Sequence, residues 1–179
     1  MEQIKRYAPQ GMAIFMAAIF LDSLRFKFTD HPNTQEIFGR LDGWAASFGA
    51  EGLFAHTGLF SQYVIGSAEL VASVLLIAGL FSAFRHWQAL GALLGVAIMT
   101  GAVSFHLFTP LGIDPNNDGA GLFIAACINL IFGVLLAFVF RRDQLFQVAR
   151  GIATVLKPNA TTVERTASVE TRNTQEHFA

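Results

Sequence analysis

Four stretches of this chain, residues 7–28, 60–82, 87–108 and 119–140, are apolar over a length that would cross a hydrocarbon core, which takes about 20 residues in a helix. That feature limits the possible folds more than any other. With only 14% charged against 53% hydrophobic residues and 18 Phe in 179 positions, the polar groups are too few to wrap a soluble globule, where roughly 25% of residues are charged. The expected fold is all-α: an integral membrane four-helix bundle in domain 1–140.

The first stretch resembles a secretory signal, with Lys5 and Arg6 ahead of an apolar run. It is followed by Asp22-Ser23-Leu24-Arg25-Phe26-Lys27 and not by a small-residue cleavage site, so it reads as an uncleaved anchor. Orientation follows from the basic residues. Lys5, Arg6, Arg85, Arg141, Arg142, Arg150, Lys157, Arg165 and Arg172 fall on one side, and Arg25, Lys27 and Arg40 on the other. Both termini are therefore expected to be cytoplasmic, in a bacterial cytoplasmic (inner) membrane. The acidic loop 109–118 lies outside, and Tyr7 and Trp87 sit at span ends, where amphipathic rings prefer the interface.

Two segments read as surface helices. In 34–48, Ile37, Phe38, Leu41, Trp44, Ala45 and Phe48 recur at helical spacing opposite Glu36, Arg40 and Asp42. This predicts an outer interfacial helix, with Asn33 and Glu36 as its N-cap pair and Pro32 as the break before it. Segment 141–158 carries an apolar stripe of Leu145, Phe146, Ala149, Ile152, Val155 and Leu156 flanked by basic residues. Such a C-terminal amphipathic helix suits an anionic inner leaflet. Residues 159–179 have little to bury and are expected to be a disordered cytoplasmic tail.

Several functions fall away at this point. A net charge of -1 supplies no basic field for nucleic acid. The single Cys127 excludes an internal disulfide and paired-thiol chemistry, and reads as an apolar filler. Asp114-Pro115-Asn116-Asn117-Asp118-Gly119 matches the start of a calcium loop, but Ala125 stands where the closing acid belongs; a tight turn with Asp118 capping the fourth helix is the better reading. Intrinsic haem would need a second His inside the bundle, and His31, His56, His86 and His177 fall in loops, ends or the tail. No intrinsic haem, flavin or metal is expected.

An ionisable group at membrane depth is a functional-site hypothesis, because burying it costs at least a few kcal/mol. Glu69 lies about 14 Å into the second span, on one face with Tyr63, Gly66 and Ser73. Asp22 and Arg25 are adjacent on the first span, and the long Arg25 stem can reach inward to Glu69 or outward to headgroups. Asn129 lies at similar depth on the fourth span, and His106 lies nearer the outer surface on the third. Glu69, Arg25 and His106 are the candidate catalytic groups, with Asp22, Asn129 and Tyr63 as candidate ligand-binding groups. Plainer roles stand beside these: an interfacial anchor for Arg25 and Lys27, interfacial hydrogen bonding for His106, packing for Asn129 and a structural ion pair for Glu69. Gly91 and Gly95 read as points of close helix approach.

Gly66-Ser67-Ala68-Glu69 closing on Gly79-Leu80, the basic ending Arg25-Phe26-Lys27-Phe28-Thr29, and Ser104-Phe105-His106-Leu107-Phe108-Thr109-Pro110 together resemble the DoxX-like (DoxX/DoxD) four-span membrane family over about residues 7–140. The long outer segment and the charged Asp22 and Arg25 fit a divergent subgroup. The resemblance implies a role beside electron transfer, since members are associated with a thiosulfate:quinone oxidoreductase, with redox-stress complexes and, distantly, with receptor-assembly chaperones. The chain carries no flavin or nicotinamide fingerprint. Redox chemistry would therefore use a diffusible quinone or a cofactor on a partner subunit. The first expectation is a membrane subunit of a quinone-linked oxidoreductase. The alternatives are a non-catalytic assembly or scaffold protein and a small proton-coupled transporter, the latter needing a homo-oligomer to form a path.

Overall fold

The structure, a computed structural model, describes residues 2–117 and 119–156, and it is all-helical, with no strand among the described residues. In chain order the helices are α1 (Glu2–Phe28), α2 (Pro32–Ala46), α3 (Gln62–Ala78), α4 (Arg85–Phe108), α5 (Gly121–Val134) and α6 (Arg142–Leu156). A 3-10 turn (Ser82–Phe84) leads into α4, and a π-helical segment (Leu135–Phe140) extends α5. The expected tail and the expected Asp118 cap lie outside the described residues.

Local chemistry sets the helix starts. α2 begins at Pro32, not after it: the fixed φ of proline suits a first helical position, where its missing N–H is no loss. Its cap is His31, whose Nδ1 accepts the Asn33 N–H at 3.3 Å, and not the expected Asn33. Ser61 caps α3 through the Val64 N–H, at 3.3 Å, so this helix is only 17 residues long.

α1 packs against α3 and α5, α3 against α4, and α4 against α5. Their shared core holds Ala13, Met16, Ala17, Phe20, Leu76 and Leu136. Small residues let the backbones close in. A Cβ on Gly91 would sit 2.9 Å from the backbone nitrogen of Leu76, and one on Gly95 would sit 2.8 Å from Met16 Cε. Gly91 therefore admits α3 and Gly95 admits α1.

Two helical stretches are long and apolar enough to cross a membrane, Ser82–Phe108 and Gly121–Phe140, with mean hydropathies of 1.8 and 2.8; α3 is apolar but shorter. The faces turned away from the core are also apolar: Val71, Val74 and Ile77 on α3, and Ile124, Ile131 and Phe138 beyond, are exposed. Apolar faces of this extent need a cover.

α2 covers one end of the bundle. Its Leu41 and Ala45 form a second core with Phe54 and Leu111, against which Phe105 of α4 packs. α6 has the expected amphipathic sequence, and its Phe146, Ile152 and Val155 are exposed.

Candidate functional site

Between α2 and the four packed helices lies an apolar chamber of about 470 Å³. α2 contributes Ile37, Phe38 and Leu41, and α4 contributes Gly101, Phe105 and His106. Ser23 and Lys27 of α1 and Glu69 of α3 form a polar cluster in the wall, which also holds Asn33, Thr34 and Asn116.

Glu69 is only 3% exposed. Lys27 Nζ lies 3.1 Å from each of its carboxylate oxygens, and Ser23 Oγ donates to Oε2 at 2.7 Å. Ser23 and Lys27 are one turn apart and hydrogen-bond to each other, so α1 presents both to Glu69 along one stripe. Gly66, one turn before Glu69, makes the room: a Cβ there would meet the Lys27 stem at 3.4 Å and the Phe28 ring at 3.3 Å. Ser73 Oγ donates to the Glu69 carbonyl at 2.8 Å, which keeps this second hydroxyl in the helix and out of the cluster.

The expected partner of Glu69 was Arg25, and the structure corrects this. Arg25 lies two residues from Lys27, roughly 200° around the helix, and so faces away. It is exposed, paired with Asp22 at 3.1 Å, with its guanidinium 4.7 Å over the Phe26 ring. Asp22, equally exposed, is likewise outside the chamber. A long stem does not overcome the wrong face.

His106 is buried in the wall, its Nδ1 2.6 Å from the Gly112 carbonyl and its ring edge-on to Phe123. A carbonyl can only accept, so Nδ1 carries the proton and, in the neutral ring, Nε2 is left as the acceptor. Asn129 is fully buried but does not line the chamber, and neither of its side-chain polar atoms has a hydrogen-bond partner among the described residues. Any packing role it has is met without a side-chain hydrogen bond to another helix among the described residues. Among the described residues no three His, Cys, Asp or Glu side chains converge as a metal site requires.

Tyr63 is also outside the chamber. Its hydroxyl donates to Asp30 at 2.7 Å, at the hinge between α1 and α2. Gln62 donates to the Lys27 carbonyl at 2.8 Å and also to Asp30, while Gln35 of α2 donates to Gln62 at 2.7 Å and meets His56 at 3.2 Å. This network ties α2 to the end of α1 and the start of α3. The Tyr63 hydroxyl holds the Asp30 carboxyl below its ordinary pKa, with help from Gln62 and the charge of His56, against a smaller opposing effect of desolvation.

Sequence reasoning missed Ser23, Lys27 and Gln62. The signal was present: Met16, Phe20, Ser23 and Lys27 follow one stripe, and the first two are plainly core residues. No family model, curated protein or solved structure matches the chain, so the chemistry of the site rests on its own residues.

Proposed function

We propose that this chain is an integral membrane protein, a four-span bundle of DoxX-like type in the bacterial cytoplasmic membrane with both termini inside. In this reading it serves as the membrane subunit of a quinone-linked redox complex and holds the quinone in the chamber beneath α2. The long apolar helices and the apolar outward faces support the membrane reading. The observation that carries the functional reading is a mostly apolar chamber with one buried ion pair in its wall. Ligand sites of this kind combine apolar area with a few convergent polar groups that fix orientation.

The Lys27 ammonium has a donor to offer a quinone carbonyl. Reduction to the quinol takes two electrons, from a cofactor on a partner subunit, and two protons. Glu69 and His106, on neighbouring helices, are the exchangeable groups nearest to hand.

Gly101 gives the test. A Cβ there would meet nothing nearer than Phe105, at 3.8 Å, so Gly101→Leu fills the chamber without pushing the backbone. Gently purified protein should carry quinone, detected by mass spectrometry, and Gly101→Leu should lose it by about tenfold or more while melting like the parent, since one blocked apolar contact region is worth at least ~1.4 kcal/mol. Equal quinone in both, or none that binds the parent on addition, would overturn the reading.

A second reading, a non-catalytic assembly protein, draws on one observation: Glu69 is already satisfied by Lys27 and Ser23. It predicts that Glu69→Gln lowers stability and partner recovery together, with no dependence on quinone.

A further inference from the structure

The end of the bundle opposite α2 holds a second buried polar chain. Arg141, which follows the π-helical segment, is only 7% exposed, and its Nε donates to Gln88 Oε1 at 2.6 Å. Gln88, fully buried, donates in turn to Gln10 Oε1 at 3.0 Å. Nη1 of Arg141 also donates to the Phe140 carbonyl at 3.5 Å, and since both of these partners are neutral they fix the plane of the guanidinium without neutralising it.

Arg85 stands one turn before Gln88 on α4, close enough that its charge adds to burial in lowering the Arg141 pKa. Among the described residues no carboxylate pairs with either arginine. Holding one guanidinium in the protein wall with a second beside it is costly unless an anion answers them. The widened π-turn, a feature frequent at functional sites, delivers Arg141 to this position.

The same corner bears exposed aromatic rings. Phe81 is 66% exposed, and Phe84 and Trp87 are exposed and in contact at 5.7 Å. Aromatic rings beside basic side chains are the composition of a membrane headgroup layer. A planar guanidinium presents paired donors that match the oxygens of a phosphate.

We propose that Arg141 and Arg85 bind a phosphate group, that of an anionic phospholipid headgroup, at the end of the bundle where α4 begins. The inference is independent of the quinone chamber and leans on the membrane reading only for the source of the phosphate.

The test uses the full chain in neutral detergent, with thermal unfolding followed as phosphatidylglycerol, phosphatidylcholine or inorganic phosphate is added. Phosphatidylglycerol should raise the midpoint by roughly 3–6 °C near saturation, as expected for a ligand of the folded state, and phosphatidylcholine should raise it far less. Arg141→Gln should remove the phosphatidylglycerol response. Because Arg141 is buried, its loss also bears on folding, and a second variant separates the two: Arg85→Gln, at an exposed position, should at least halve the response, while Arg40→Gln on α2 leaves it intact. Equal shifts from the two lipids, or a response that survives in the Arg85 variant, would overturn the site. An Arg85-dependent shift from inorganic phosphate alone, with none further from lipid, would overturn the lipid assignment.

Discussion

Lys27 carries a positive charge into an apolar wall and meets Glu69 there, and neither can be removed without stranding the other. Breaking a buried pair costs about 3–5 kcal/mol, less where water reaches it, and Lys27 retains 16% side-chain exposure. Lys27→Met should therefore destabilise strongly, and adding Glu69→Gln should recover part of the loss. Arg25→Ala should cost about 0.5 kcal/mol or less, as a surface substitution. A double-mutant cycle by thermal unfolding in detergent reads the coupling, and strict additivity of Lys27→Met and Glu69→Gln would refute the pair. That Glu69 is buried between helices was legible in the sequence, because a charged group on an apolar helix has to face its neighbours. Its partner was not, because stem length says how far a side chain reaches and helical phase says in which direction. Asn129 makes the same point from the other side: its burial could be read, but whether a partner stands opposite depends on how the helices rotate against one another.

α2 is held over the chamber by its apolar face and, at its N-terminal end, by the polar network around Asp30, and the two respond differently to acid. Asp30 accepts from Tyr63 and Gln62, and its pKa is lowered on folding. A depressed carboxyl contributes stability that is fully present above its unfolded value, about 3.9, and is lost as pH falls through the folded value. The network should thus loosen below about pH 4 while the Leu41, Ala45, Phe54 and Leu111 core remains. Trp44 of α2, half-buried and edge-on to Phe105 and Phe48, gives the optical readout. An acid step in its fluorescence should be present in the parent and missing in Asp30→Asn, which should resemble the acid form at neutral pH; an identical step in both would exclude Asp30. The existence of α2 was legible from its apolar spacing, but its start was not. A proline can end one element or begin the next, and here the His31 side chain decides for the second.

At the scale of the whole molecule the all-helical character was the most legible feature, since long apolar stretches leave few alternatives, and small residues such as Gly91 mark where helices meet. What the sequence could not convey was that α2 packs with Phe54 and Leu111 to wall one side of a chamber, because that depends on contacts between segments far apart in the chain. The proposed topology is tested by single cysteines in a Cys127→Ala background. Ser47→Cys, just after α2, should label from outside, and Gln147→Cys, on the polar face of α6, only after permeabilisation. Labelling of both from the same side would refute the orientation. With 17 residues, α3 rises only about 25 Å, short of a hydrocarbon layer near 30 Å, whereas α4 matches or exceeds it. In the membrane reading proposed above, a bilayer around such a bundle has to be thinner on one flank than on the other. The protein should thus prefer lipids with shorter acyl chains beside α3, and membrane thickness becomes a variable that acts on the very helix carrying Glu69.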